Sequence, residues 1–204
     1  FFTLRKESDV HQDLLEQGNA DSPLGRCIAA KPTDERFVDY HNYGPSAEPA
    51  AFFVEPVSKD GKQVGWLALQ CAINRVNALF SATQDLGETG ETFLVNREGF
   101  MLTDSFLEGR SSILRRHLAN ENIQAKFQAG QGHRTVTDYR GATALSSFEV
   151  FPFMGARWLV VAKIDRDEVT TQHYARHRRY YADRILEHLD EETLPALRHP
   201  EPMD

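Results

Sequence analysis

An internal repeat is the feature that most constrains the fold of this 204-residue chain. One copy runs from Val38 to Ile73 and the other from Thr137 to Ile164. In each copy an Asp-Tyr pair precedes a Phe-x-x-x-Pro motif, a turn through glycine, and an apolar strand led by Trp66 or Trp158. Four matches in the same order predict two copies of one antiparallel, three-stranded meander.

The residues between the two copies predict helices and one short hairpin. Apolar residues recur at helical spacing over 72–84 and 112–129, which predicts an amphipathic helix in each stretch. The segment from Leu86 to Ser105 reads LGETGETFLVNREGFMLTDS. Its glycines are flanked by Glu88 and Glu91, which would repel a phosphate, and a β-rich run follows them. We therefore predict strand, tight turn and strand here, with the glycines serving the turn into the first strand.

Together these patterns predict an α+β fold of two tandem PAS-like lobes, each an antiparallel sheet of about five strands flanked by helices. The first lobe is expected to span residues 1–84, with its opening strand missing at the N-terminus. The second lobe is expected at 85–166. Residues 167–204 have only a thin apolar stripe, which predicts a polar helix followed by a proline-containing tail.

Composition and motifs exclude several classes of function. The chain has 23 Lys and Arg against 30 Asp and Glu, a formal charge of −7, which disfavours nucleic acid or an anionic membrane surface as partner. No Gly-x-Ser-x-Gly elbow or cofactor motif is found, so we expect no catalytic residue and no cofactor. His173 and His177 are spaced like metal ligands but lack a third ligand, so no metal is expected. Cys27 and Cys71 could pair in an oxidising compartment, although free thiols are the prediction.

Several segments carry a resemblance to the bacterial double-Cache sensor domains. GETGETFLVNREGFMLTDS, DYRG and AKIDRDEV resemble parts of the second lobe of that family. KESD at Lys6–Asp9, YGPSAEPAAFF at Tyr43–Phe53 and VGWLALQCAINRVN at Val64–Asn77 resemble the first lobe. The resemblance covers roughly Phe1 to Val169. It implies a periplasmic or extracellular input domain of an inner-membrane receptor, such as a histidine kinase, chemotaxis receptor or diguanylate cyclase.

The resemblance also implies where a ligand binds. Small molecules typically bind the membrane-distal lobe, here the first lobe. Family members that bind amino acids use an Arg-x-Trp-Tyr run and an Asp late in the last strand; here the run is absent and Gln70 takes the Asp position. A small polar metabolite other than an amino acid is therefore favoured. The expected contacts are Asp39, Tyr40, Tyr43, Ser46 and Gln70, with Arg5 and Lys6 as further cations.

Other roles for these residues remain open at this stage. Tyr43 to Ser46 could simply form a turn, and Asp39 could cap a strand end. In the second lobe the analogous set is Asp104, Ser105, Tyr139 and Arg140, where we predict a structural Asp104–Arg140 ion pair. Two further functions compete with the sensor: a dimerisation module with no pocket and an uncovered apolar helix face, and an intracellular PAS-like module. The latter would suit the polar residues 170–204, where the family has a membrane helix.

Overall fold

The computed structural model describes residues 13–15, 20–46, 48–81, 86–118, 123–173, 175–176 and 179. The segments 1–12 and 180–204, and with them Arg5, Lys6 and most of the predicted tail, lie outside the described residues, as does His177. The strands are β1 (Arg36–Tyr43), β2 (Glu48–Lys59), β3 (Lys62–Ala72), β4 (Glu91–Val95), β5 (Gln131–Thr137), β6 (Thr143–Phe153) and β7 (Ala156–Asp165). The helices are α1 (Pro23–Ala29), α2 (Ile73–Ser81) and α3 (Ile123–Ala129), and residues 166–173 form a further helix.

The strands form two antiparallel sheets flanked by helices, which confirms the α+β prediction. The first sheet has the order β1-β2-β3, and the second has the order β4-β7-β6-β5. In both sheets the last three strands pair consecutively, as the repeat predicts, with Gly61 and Gly155 at positive φ in the equivalent turns. The Asp-Tyr match is not equivalent in structure, because Asp39 lies within β1 whereas Asp138 lies in the turn after β5.

Each sheet has fewer described strands than the five or so predicted. The first sheet has three and the second has four among the described residues. In the second sheet, residues 100–103 were expected to form a strand, but they make only the isolated bridges Val95–Met101 and Phe100–His117. The backbone bends at 102–103, directly after the bridged residue Met101, which prevents a continuous ladder.

The helix predicted over 112–129 is wrong in its first part. Only Ile123–Ala129 is helical among the described residues. Leu114 adopts a left-handed conformation with φ of 52° and its N–H donates to the Met101 carbonyl at 2.8 Å. The Leu118 N–H donates to the Gly99 carbonyl at 2.8 Å. At Leu114 and Leu118, these backbone partners from distant parts of the sequence replace the i→i−4 hydrogen bonds that a helix would need.

Three apolar clusters hold the sheets and helices together. One face of the first sheet packs under α1, which begins at the capping residue Ser22, whose Oγ accepts from the Gly25 N–H at 2.9 Å. The inner face of the second sheet packs against α3 through residues such as Phe93 and Phe148. The third cluster joins the two sheets and includes Tyr40 and Trp158. The opposite, outer face of the first sheet is thus turned towards the second sheet.

Candidate functional site: the cavity between the two sheets

A large cavity lies where the two sheets meet. Its volume is about 760 Å³. Strand alternation directs Phe37 and Phe53 of the first sheet to its wall, and they lie across from each other in the β1–β2 register. Phe153 and Trp158 form the opposite wall, with Phe153 at 5.2 Å from Phe37 between ring centroids. Helix α2 closes one side. The result is an aromatic cavity with walls from both halves of the repeat.

A hydrogen bond across the junction ties the two sheets beside this cavity. The Trp158 indole Nε1–H donates to both carboxylate oxygens of Asp39, at 2.9 and 3.1 Å. Asp39 also accepts from the Tyr40 N–H at 2.7 Å. Burial raises the pKa of Asp39 above its ordinary value, although these hydrogen bonds oppose the shift. Burial likewise raises the pKa of Tyr40 to about 12, so its phenol stays neutral and can donate or accept in the cavity.

The structure separates the five predicted contacts into two groups. Tyr40 and Gln70 border the cavity. Asp39 accepts a hydrogen bond from Trp158, which lines the cavity. The Gln70 side-chain amide donates to Ser46 Oγ at 3.4 Å. Tyr43 lies on the α1 side, with its ring 4.9 Å from the Phe52 ring. The five residues therefore do not surround one pocket within the first sheet.

The alternative roles of these residues are settled in part. Residues Gly44–Ser46 form a single 3-10 turn, as the turn interpretation predicted. Asp39 does not cap a strand end, because it lies inside β1. Its carboxylate bonds instead to the other sheet, a role that sequence alone did not show.

Sequence reasoning missed most of the cavity wall. Arg75 of α2 and the aromatic residues Phe37, Phe53 and Phe153 line it, yet none was a candidate. The available signal was the alternation of Phe151 and Phe153 along β6, which marks an apolar face on the side opposite Phe148. Cys71 also borders the cavity, and both Cys71 and Cys27 are free thiols.

Ser105 and Tyr139, two of the polar residues considered for the second lobe, bond to buried charged side chains of the second sheet. Lys163 and Glu91 are 2 % and 1 % exposed, and Lys163 Nζ lies 3.0 Å from Glu91 Oε1 and pairs also with Asp138. The Tyr139 hydroxyl donates to Glu91 at 2.5 Å, and the Ser105 hydroxyl donates to it at 2.6 Å. We call Glu91, Ser105, Asp138, Tyr139 and Lys163 the buried network. Its members satisfy one another, which gives them a structural role.

The predicted Asp104–Arg140 pair is wrong. Arg140 pairs with Asp138 at 2.7 Å and with Asp165. Asp104 instead accepts from Asn77 at 3.1 Å and from the hydroxyl of Ser111 at 2.7 Å. Asp138 outcompetes Asp104 because it lies in the same turn as Arg140, only two residues away.

The glycine-rich loop before β4 binds an anionic group from within the chain. The Glu168 carboxylate accepts from the backbone N–H groups of Glu88 and Thr89, both at 2.8 Å. Gly87 has a φ of 90°, and a Cβ there would lie 2.2 Å from Glu168 Oε1. Glycine is therefore required both for the backbone conformation and for the approach of the carboxylate. The loop joins the helix at 166–173 to the start of β4.

Comparison with known proteins supports the fold. No family model matches the chain, and no curated protein matches it in sequence. Among solved structures, the extracellular domain of the predicted histidine kinase mmHK1S-Z3 aligns with a TM-score of 0.58 and 16% identity, over 78% of this chain and 59% of that one. The corresponding domain of mmHK1S-Z2 aligns with a TM-score of 0.50 and 16% identity, over 67% and 53% of the two chains.

A chemoreceptor domain shares the same architecture. The ligand-binding domain of PctB from Pseudomonas aeruginosa PAO1, solved with L-Arg, aligns with a TM-score of 0.51 and 17% identity, over 74% of this chain and 62% of that one. The chain spans between half and two thirds of the length of these structures. It shares the antiparallel α+β fold of these solved domains. None of its described helices is long and apolar enough to cross a membrane.

Proposed function

We propose that the chain is the non-catalytic, ligand-binding input domain of a membrane-anchored bacterial receptor, of the double-Cache type, acting outside the cytoplasm. The observation that carries the proposal is the 760 Å³ cavity at the junction of two sheets in a chain with a sensor fold. In this proposal residues 1–84 form the membrane-distal lobe, 85–166 the membrane-proximal lobe and 167–204 the connection towards an output domain.

The position of the cavity supports a way to transmit binding. A ligand there would contact Tyr40 and Phe53 on one side and Trp158 on the other, so it would bind one relative arrangement of the sheets better than another. Trp158 lies in β7, and β7 leads directly into the helix at 166–173. A shift of the second sheet against the first would therefore move the start of that helix.

The cavity chemistry favours a small molecule with an apolar body and one polar end. Its walls are mainly aromatic, and the Tyr40 hydroxyl is a neutral hydrogen-bonding group within them. Gln70 borders the cavity, but its side-chain amide donates to Ser46 Oγ. In this proposal Asp39 and Ser46 act indirectly, by holding Trp158 and Gln70, and Tyr43 supports the sheet from the α1 side.

A thermal-shift screen tests the proposal with small carboxylates, amines, amino acids, sugars and purines. A ligand at 100 times its dissociation constant adds about 2.7 kcal/mol to the free energy of unfolding. We expect a hit whose shift is lost in Tyr40→Phe and kept in Tyr43→Phe, since the same hydroxyl is removed on opposite faces of β1. A hit that disappears in Tyr43→Phe alone would place the site under α1 and contradict the cavity. A well-folded chain with no hit would count against ligand binding altogether.

A dimerisation function has one specific observation in its favour. Leu79 on α2 is 74% exposed, so an apolar helix face is left uncovered. Leu79 also lines the cavity, so an uncovered face here is compatible with the proposed ligand site. We therefore include a homodimer in the proposed receptor domain.

A further inference from the structure

We infer that the loop between β4 and α3 carries a second ligand site, which binds a small dianion through carboxylate or phosphate oxygens. The site is a pocket in this loop lined by Glu108, Arg110, Ser111, Ser112, Arg115 and Arg116. We call it the arginine pocket. Its lining residues differ from those of the cavity between the sheets, so the inference does not depend on the function proposed for that cavity.

The first observation is an excess of positive charge in a small space. Three arginines line the pocket, against the single carboxylate of Glu108, which is paired with Arg116. Arg110 and Arg115 have no ion-pair partner among the described side chains. The formal charge of the whole chain is −7, so this local excess is opposite in sign to the rest of the protein. Arginines around one pocket repel one another until an anion binds between them, and a dianion balances the two that Glu108 leaves unpaired.

The second observation is a buried donor without an acceptor. Arg116 Nε is buried and has no hydrogen-bond partner among the described residues. The Nη2 atom of the same side chain donates to Glu108, and the guanidinium group lies over the Tyr139 ring, 5.5 Å from its centroid. Nearly all buried donors in folded proteins are satisfied by the protein, by water or by a bound ion. A water molecule could accept from Nε, but only an anion would also balance the charges of Arg110 and Arg115.

The third observation is a serine that the loop holds in place. Ser112 is 1% exposed, and its Oγ accepts from the Ser105 N–H at 2.8 Å. The Ser112 N–H and the Ser111 hydroxyl both donate to Asp104 Oδ1, at 2.8 and 2.7 Å. The hydroxyl proton of Ser112 has no acceptor within the part of the chain that the structure describes. Ser112 therefore adds a positioned, neutral donor to a pocket of guanidinium groups.

The size of the pocket restricts the dianion to a small one. Its volume is about 260 Å³, compared with about 760 Å³ for the cavity between the sheets. At about 30 Å³ for each water-sized group, the pocket holds roughly eight such groups, which admits inorganic phosphate or a short dicarboxylate. Guanidinium groups bind two oxygens of a carboxylate or phosphate at once, so these anions are favoured over a halide.

The arginine pocket contacts both the buried network and the junction of the sheets. Ser112 bonds to Ser105, whose hydroxyl donates to Glu91 of the buried network. Ile113, the next residue, packs in the apolar cluster that joins the two sheets. An anion that fixes the loop at Ser112 and Arg116 would therefore also fix Ile113 at the junction.

Isothermal titration calorimetry at constant ionic strength tests the site with inorganic phosphate and malonate, at a pH where both are dianions. Malonamide has nearly the shape of malonate without its charges and is the neutral control. We expect one dianion to bind per chain and malonamide not to bind. Binding of phosphate alone identifies a tetrahedral oxyanion as the ligand, and binding of malonate alone identifies a dicarboxylate. If neither dianion binds, or if malonamide binds as well as malonate, the inference is overturned.

Substitution of the arginines locates the bound anion. Arg110→Gln and Arg115→Gln should each weaken binding by about tenfold and leave the fold intact, because both side chains are exposed. Arg166→Gln is the matched control, since it removes the same charge from an exposed residue outside the pocket. Circular dichroism melts verify that each variant is folded. An equal loss of affinity in Arg166→Gln would show an adventitious ion only and would overturn the inference.

The Nε–H signal of Arg116 in NMR spectra of the isotopically labelled chain reports contact directly. Arg116→Lys assigns this signal by removing it. We expect the signal to shift when phosphate or malonate is added, and binding without any shift would place the anion elsewhere and refute the site. Tyr40→Phe should leave the affinity for the dianion unchanged, so the arginine pocket and the cavity between the sheets can fail separately.

Discussion

Replacing Lys163 with methionine tests whether the buried network holds the second sheet together. Lys163 has its charge fully enclosed, 3.0 Å from Glu91 and paired with Asp138. Methionine keeps the apolar stem and the volume but removes the ammonium group. Two carboxylates would then lose a cation in a site that water does not reach, which is a far larger change than the loss of an exposed ion pair.

The expected magnitude follows from what remains after the substitution. Removing one partner of a buried ion pair costs about 3–5 kcal/mol, because a charge is left uncompensated. Asp138 keeps Arg140 at 2.7 Å, and Glu91 keeps the hydroxyls of Ser105 and Tyr139. The remaining partners favour the lower end, about 3 kcal/mol. For a chain of this length that corresponds to a fall in melting temperature of roughly 6–12 °C.

Chemical denaturation and thermal melts measure the effect, with Lys62→Met as the control. Lys62 is exposed at the start of β3, so the same substitution there should change the free energy of unfolding by less than about 0.5 kcal/mol. Glu91→Gln should cost less in the Lys163→Met background than in the wild type, since the two side chains interact. The reasoning is refuted if Lys163→Met costs under about 1 kcal/mol, or if the two changes are additive.

Three further predictions concern titration and access. Asp39→Asn should preserve the free energy of unfolding at neutral pH, because burial already disfavours the charged carboxylate and the amide oxygen still accepts from Trp158. Asp39→Ala should destabilise the fold, because the Trp158 indole N–H loses its acceptor. Indole fluorescence would report the loss of that hydrogen bond. Burial holds the pKa of His41 below its ordinary value, so the folded state resists protonation of this side chain. The stability that neutral His41 contributes should be present above about pH 6.5 and should fall as the pH drops below that value. Thermal melts across pH should show this slope, and His41→Asn should flatten it. In a Cys27→Ser background, a thiol reagent should label Cys71 at the cavity, and a bound ligand or dimer should slow the labelling measured by mass spectrometry.

Local periodicity made the two meanders predictable. The alternation along β2, β3, β6 and β7 and the glycine turns between them depend on residues close in sequence, so the repeat specified pairing and turn position together. The helix expected over 112–129 failed for the opposite reason. Its apolar spacing is helical, but Leu114 and Leu118 donate backbone hydrogen bonds to residues at least 13 positions away. Such tertiary partners do not appear in a local pattern.

The candidate site was only partly predictable because it lies between the two halves of the repeat. Tyr40 and Gln70 were identified from the first half alone, and both border the cavity. Trp158 was predicted only to lead an apolar strand of the second half, yet its indole N–H donates to Asp39, 119 residues earlier. Contacts of that separation depend on how the sheets pack. The sequence pattern of either half therefore does not predict these contacts.

The contrast between the two sheets indicates how the proposed input domain would respond to a ligand at the junction. In the second sheet the buried network links β4, β7 and the turn after β5 through charges that satisfy one another, so this sheet should move as one body. At the junction, by comparison, Asp39 and Trp158 supply the described hydrogen bonds that join the sheets beside an open cavity. The apolar cluster at the junction is non-directional and borders open space, so it rearranges at a lower free-energy cost than a satisfied buried network. Glu168 then ties the helix at 166–173 to the loop before β4, so that helix must follow the second sheet. Binding at the junction would therefore appear as a rigid displacement of the second sheet and its helix relative to the first sheet.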